Sequence, residues 1–325
     1  MVISACGFGS GALFAKPVYA ANVDWMTLLW WRFLLAGLLS WGWLALRGRD
    51  RRALRALSRR RVLVLLGLGV LYTGNSGTYY AALQWVPASL AALIVYIYPA
   101  VVAVLSLRYG RRLEGRRAWL ALGISMLGVA LALGGIAPGT VPPLGALLLT
   151  VASPLIYAVW IVLAARLGGE RSSTTAPPAD AETTPDGTAP APAVALLMTG
   201  TALSYLVLMA LSGRPIAPSA VPTQAWPGIM GIAVFSTAVA VQAFYAGARR
   251  IGAARASLVS TVEPVYTILL ATVLFGENLT GVQLLGGLLV IGGVLLAETA
   301  PTAERAAGTT EAITLLRQPT GTDAS

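Results

Sequence analysis

Long apolar runs, separated by short polar or basic connections, set the rhythm of this chain. Ten of them approach the roughly 20 residues that a membrane-spanning helix needs. They cover residues 2–20, 26–46, 62–83, 88–108, 117–135, 144–164, 193–212, 226–247, 253–275 and 281–299. None shows the period-two alternation of a barrel strand. In lipid, only helices and closed barrels satisfy their own backbone polar groups. The pattern therefore predicts an all-α polytopic membrane protein with ten transmembrane helices.

The runs also repeat. Residues around Tyr80–Leu131 and Tyr245–Leu296 match at one offset, pairing Tyr80 with Tyr245, Pro99 with Pro264 and Gly128 with Gly293. The arginines contradict the match. Arg108, Arg111, Arg112, Arg116 and Arg117 follow the Pro99 segment, whereas Arg249, Arg250 and Arg255 precede the Pro264 segment. Arginine and lysine accumulate on the cytoplasmic side, so the two segments are expected to cross in opposite directions. Arg47 to Arg61 fill the connection after segment 2, and Arg166 and Arg171 follow segment 6. All even-numbered connections then share one side, and both termini are expected in the cytoplasm. Two inverted five-helix repeats, a signature of secondary transporters, are the expected plan. Residues 1–135 would form the first repeat, 144–167 (helix 6) would open the second, and 194–299 would complete it. Residues 168–193 and 300–325 would be a disordered cytoplasmic linker and tail.

Composition agrees with a membrane protein. Of 325 residues, 57% are hydrophobic and 11% charged, against about 25% charged in soluble domains. The net charge of +10 sits in short connections, as topology determinants beside anionic lipid do, so no nucleic-acid partner is expected. With one cysteine, Cys6, and no histidine, neither a disulfide framework nor a Cys/His metal site is expected. Segment 1 begins at Met1 and carries Lys16-Pro17 near its end. A cleaved signal peptide is a rival reading, but its positive charge should precede the apolar run.

Short motifs add a resemblance. Trp31-Arg32-Phe33-Leu34-Leu35-Ala36 opens segment 2. Tyr80-Ala81-Ala82-Leu83 leads to Pro87-Ala88-Ser89-Leu90-Ala91-Ala92 and Tyr98-Pro99. Ala253-Ala254-Arg255-Ala256-Ser257 leads to Glu263-Pro264-Val265 and Phe275-Gly276-Glu277-Asn278-Leu279, before a glycine-bearing last helix. In order and spacing the chain resembles EamA-type members of the drug/metabolite transporter superfamily over about residues 1–299, apart from the linker. The resemblance implies ten helices in two inverted halves, alternating-access transport of small organic solutes, and peripheral positions for segments 5 and 10.

Ionisable residues inside apolar segments are candidates for chemistry, because a charge at mid-membrane costs about 2.5–3.5 kcal/mol on insertion scales. Glu263 lies mid-segment, and Ser257, Ser260, Glu263 and Thr267 share one helical stripe. The stripe is expected to line a wet cavity, with Glu263 as a solute contact, a proton-titrating group or a paired structural carboxylate. Arg32 and Lys16 fall in the outer half, where either could bind an anionic group or neutralise Glu263; Lys16 could instead snorkel to the surface. Two cations and one anion favour anionic or zwitterionic solutes. Pro99 and Pro264 are candidate hinges that free the carbonyls of Val95 and Ser260. Asn75 and Tyr79 in segment 3, Tyr98 in segment 4, and Tyr157 and Trp160 in segment 6 could line a solute path or pack helices. Trp25, Trp30, Trp31, Trp41 and Trp43 read as interface anchors.

The expected function is secondary-active or facilitative transport of a small organic metabolite or drug-like solute across the cytoplasmic membrane, export among the options. Partners are the solute and membrane lipids, with room for proton coupling and a homodimer; no cofactor is expected. Alternatives are a non-transporting sensor or partner subunit, or a membrane-embedded enzyme on lipid-linked substrates, which the lack of histidine and the isolated acids disfavour.

Overall fold

The structure is a computed structural model that describes residues 1–82, 85–86, 91, 94–109, 113, 115–132, 142–167, 189–275 and 280–298. Among these residues every regular element is helical. Segment 1 is split into α1 (Val2–Gly9) and α2 (Gly11–Ala20). Then come α3 (Trp25–Leu46), the short basic α4 (Gly48–Arg55) and α5 (Arg59–Ala82). Tyr98–Tyr109 is α6, Gly115–Ala132 is α7, Leu144–Leu167 is α8 and Pro190–Leu211 is α9. Segment 8 is α10 (Trp226–Gly231), a π-helical stretch over Ile232–Val239, and α11 (Ala240–Ile251). Segment 9 is split into α12 (Ala253–Val259) and α13 (Val262–Phe275), and α14 (Gly281–Glu298) ends the described chain. Among the described residues, five helical stretches are long and apolar enough to cross a membrane, Trp25–Leu46, Arg59–Ala82, Leu144–Leu167, Pro190–Leu211 and Thr223–Ile251. The protein is an all-α polytopic membrane protein.

Helix packing relies on close backbone approach, as expected where lipid supplies no hydrophobic drive between helices. α5 and α9 meet at Gly69 and Gly200. A Cβ on Gly69 would meet the Thr201 nitrogen at 2.8 Å, and one on Gly200 would meet the Leu66 Cα at 3.1 Å. The Thr201 hydroxyl donates across the contact to the Gly69 carbonyl at 2.9 Å. α1 is tied in by the Ser4 hydroxyl, which donates to the Ala240 carbonyl at 2.8 Å.

The α7–α14 pair carries the repeat into space. A Cβ on Gly128 would meet the Gly286 carbonyl and the Val290 nitrogen, both at 2.7 Å. A Cβ on Gly293 would meet the Ala121 carbonyl at 2.8 Å and the Ser125 nitrogen at 3.0 Å. The offset that pairs Gly128 with Gly293 also pairs Ala121 with Gly286 and Ser125 with Val290. The contact is therefore its own image under the offset, as an isologous two-fold interface is. Contacts run from low numbers on one helix to high numbers on the other, so the helices are antiparallel. Other contacts follow the same exchange. α5 on α9 corresponds to α3 on the π stretch, and α6 on α8 to α13 on α1. The α7–α14 pair leaves Leu120, Leu127, Leu284 and Leu288 exposed.

Three expectations need correction. Trp30 and Trp31 are buried in the core, where Trp31 meets the Trp226 ring at 4.9 Å; of the described tryptophans of α3, Trp41 and Trp43 keep the exposure of interface anchors. α9 begins at Pro190, inside the stretch expected to be linker, because proline's fixed φ suits a first helical turn. The Ser260 carbonyl is not freed by Pro264: it accepts the Glu263 N–H at 3.0 Å.

Candidate functional site

Both matched prolines lie just beyond a helix break, not inside a continuous helix. Residues 96–97 and 260–261 form turns, and Pro99 and Pro264 occupy the first turns of α6 and α13. Proline lacks the N–H that a continuing helix would use, yet fits a first turn. Each break brings chemistry to one level, Tyr96 and Tyr98 from one half and Ser260 and Glu263 from the other.

Glu263 sits among groups from several helices. Its carboxylate lies near the Tyr96 hydroxyl. It interacts electrostatically with Arg32 of α3, Tyr72 and Tyr79 of α5, Tyr98 of α6 and Tyr157 of α8. It lies deep in the bundle yet keeps accessible surface, as do Tyr79, Tyr96 and Tyr157. Depth combined with accessibility is the mark of side chains facing an internal cavity.

Arg32 completes the arrangement from roughly 10 Å inside α3, at 1.5 Å per residue from Trp25. It is buried, at 7% exposure. Its Nε donates to the Thr237 hydroxyl at 2.8 Å, Nη1 to the Tyr80 hydroxyl at 3.3 Å and Nη2 to the Ser236 carbonyl at 3.4 Å. All three partners are neutral. The π stretch explains two of them: the Thr237 hydroxyl donates to the Ile232 carbonyl, five residues back, at 2.9 Å. That widened turn sets Thr237 and the Ser236 carbonyl toward Arg32, and such turns recur at functional sites. A buried cation whose hydrogen bonds, among the described residues, all go to neutral groups is able to accept an anionic group.

Aromatic rings wall the site. Tyr98 and Tyr157 meet edge to face at 4.9 Å, Tyr157 stacks on Trp160 at 5.8 Å, and Trp160 contacts Tyr72 at 4.9 Å and Phe244 at 5.7 Å. Trp160, Phe244 and Tyr98 are essentially inaccessible. The Trp160 indole nitrogen, the Tyr98 hydroxyl and the Ser236 hydroxyl are buried without a formed hydrogen bond. Ser260 lies near the Tyr98 hydroxyl, but the geometry falls short of a bond.

The structure thus gathers Glu263, Arg32, Tyr79, Tyr98, Tyr157 and Trp160, with Ser260 beside Tyr98, and engages Ser257, Thr267 and Asn75 in other contacts. The stripe Ser257–Ser260–Glu263–Thr267 does not form one helix face, because the helix breaks at residues 260–261. Ser257 and Ser260 are buried and donate to the carbonyls of Ala254 and Ala256 at 2.9 Å. Thr267 bonds the Gly9 carbonyl at 3.1 Å and tethers α13 to α1. Asn75 clamps α5 to α8 through the Ser153 carbonyl and hydroxyl, both at 3.0 Å. The side chain of Lys16, and Glu277, lie outside the described residues. Among the described residues no group of three potential metal-ligating side chains occurs. Sequence reasoning missed Tyr96, Ser236 and Thr237. Phe235-Ser236-Thr237-Ala238 reads as ordinary helix, and nothing in it signals a π turn.

Comparison with known proteins agrees with this architecture. The chain is 30% identical over 270 residues to an uncharacterized inner membrane transporter, YedA, of Escherichia coli K12, covering 82% of this chain and 79% of that one. It is 28% identical over 235 residues to an uncharacterized transporter of Archaeoglobus fulgidus, covering 72% and 75%. A solved crystal structure shares the fold, with a TM-score of 0.73 at 18% identity over 91% of this chain and 94% of that one. The family model of EamA-like transporters matches residues 1–134 and 186–299. Through that match, over well more than half its length, the chain belongs to the EamA-like transporter family.

Proposed function

We propose that this membrane transporter moves a small organic solute bearing a carboxylate or other anionic group, zwitterions included, by alternating access between two inverted five-helix halves. The observation that carries the reading is Arg32, buried and hydrogen-bonded to neutral partners, close enough to Glu263 to interact with it electrostatically. Arg32 would hold the anionic group through its planar fork of donors. The unpaired Trp160 and Tyr98 donors would take further polar contacts, and the rings would cover the apolar body. Glu263 would meet a cationic group or carry a coupling proton.

The two-fold α7–α14 contact and the matched breaks support inverted halves that rock about this level. With the arginine-rich connections in the cytoplasm, Trp160 and Phe244 lie in the inner parts of α8 and α11. Their closed packing would have to part for the solute to reach the cytoplasm.

A solute-panel flux assay in proteoliposomes, with and without a pH gradient, tests the proposal. Anionic or zwitterionic solutes should be preferred, and Arg32→Gln should weaken their apparent affinity by about 10- to 100-fold, the worth of a hydrogen bond to a charged group. Glu263→Gln should abolish any response to the pH gradient. Equal flux of cations, or unchanged affinity in Arg32→Gln, would overturn the reading.

A further inference from the structure

Away from the central site, a cavity of about 380 Å³ lies between α5 and α8. Val64, Gly67, Leu68, Leu71, Leu163 and Leu167 line it, with Arg166 at its rim. The two helices are clamped at Asn75–Ser153 and leave this groove toward their arginine-bearing ends. From Val64 to Leu71 the floor extends roughly 10 Å at 1.5 Å per residue. One leaflet of hydrocarbon is roughly 15 Å thick. The groove thus accommodates most of an acyl chain's depth. Gly67 keeps it open: nothing lies within 4 Å of a Cβ built there.

The rim is cationic. The Arg166 guanidinium lies 5.7 Å from the centre of the Tyr109 ring, and Arg108 lies 6.0 Å from the same ring. Two like charges thus lie beside one aromatic ring, and the ion pair found among the described residues is elsewhere, between Arg214 and Asp24. An anion seated between the two arginines would relieve their repulsion. Arg59 and Arg60, exposed at the start of α5, add charge at the same end.

We propose that this groove binds one anionic phospholipid from the leaflet on the arginine-rich side. Its phosphate contacts Arg166 and Arg108 beside Tyr109, and one acyl chain enters between α5 and α8. Basic pockets between spanning helices suit acidic headgroups, and the apolar floor favours a lipid over a free phosphate.

Native mass spectrometry and thermal unfolding of the delipidated full chain in detergent test this, using phosphatidylglycerol, phosphatidylcholine and glycerol 3-phosphate. Wild type should retain one phosphatidylglycerol in preference to phosphatidylcholine and gain thermal stability from it. Arg166→Gln and Arg108→Gln should each weaken retention about five-fold. Gly67→Leu should block it while leaving the lipid-free melting temperature intact. Arg51→Gln in α4 should leave it unchanged. Equal retention of phosphatidylcholine, equally strong binding of glycerol 3-phosphate, or indifference to the Arg166, Arg108 and Gly67 changes would overturn the proposal. So would an equal loss in Arg51→Gln, which would reduce the effect to general surface charge.

Discussion

Asp24 shows how one side chain can organise the start of a helix. Its carboxylate accepts the N–H groups of Met26 at 2.9 Å and Thr27 at 3.2 Å and the Thr27 hydroxyl at 2.6 Å, and it pairs with Arg214. Partial burial alone would raise its pKa, but these hydrogen bonds and Arg214 outweigh it and hold the pKa below the ordinary 3.8. A depressed carboxylate contributes stability above its unfolded pKa and loses it as pH falls through the folded value. Asp24→Ala should cost about 1 kcal/mol for the lost cap, with little added for a pair that is about a third exposed. Asp24→Asn, which keeps the cap, should cost less. Thermal unfolding in detergent at neutral pH checks both, and the gap between wild type and Asp24→Asn should vanish in strong acid. Arg32 carries a second prediction at this scale. Thr237→Val should remove its 2.8 Å partner and lower solute affinity in flux assays, and Arg32→Lys should not restore function, because a point charge cannot replace the fork. Arg32 and Glu263 were legible in the sequence, since charge inside an apolar run is costly wherever it occurs. Thr237 and Tyr96 were not: hydroxyls are common in spanning helices, and only tertiary placement singles these out.

Among the elements, the close α5–α9 crossing makes the sharpest demand. Gly69→Val or Gly200→Val places atoms where backbone already stands, and overpacking of this kind costs about 1–3 kcal/mol or more. Gly42→Ala and Gly145→Ala, where nothing lies within 4 Å, should be neutral or slightly stabilising by the same unfolding measurement. Apolar runs of helical length foretold α3, α5, α8 and α9 to within a few residues, because run length is what the bilayer dictates. The breaks were harder to place. Prolines at 99 and 264 marked the right neighbourhood, but a proline in a first turn and a proline inside a kinked helix look alike in sequence. The continuous Ser257–Thr267 stripe failed for that reason. The break at Ser10 had no proline to announce it. Trp30 and Trp31 misled because tryptophan near a helix end is usually an interface anchor, whereas here both are buried, Trp31 against Trp226 and Trp30 beside Trp31.

Over the whole molecule, the repeat offset survives as geometry. Gly128 and Gly293 each occupy the position in the α7–α14 contact that the other would occupy after exchange, and the contact is antiparallel. The arginine distribution implies the same relation, since opposite flanking charge on matched segments implies opposite crossing. What sequence could not provide was how the interior closes. The Trp160–Phe244 contact joins α8 to α11, residues far apart in the chain with no shared motif. Rocking about the Arg32–Glu263 level should move the two ends of the bundle in opposite senses. Spin labels at the exposed pair Ser58 and Arg250, on the arginine-rich side, and at the exposed pair Trp85 and Thr223, on the other, report this through pulsed electron-resonance distances in proteoliposomes. On adding the best-transported solute, one distance should lengthen as the other shortens, and Arg32→Gln should suppress both changes. Two distances that move together, or stay fixed while solute crosses, would contradict the account.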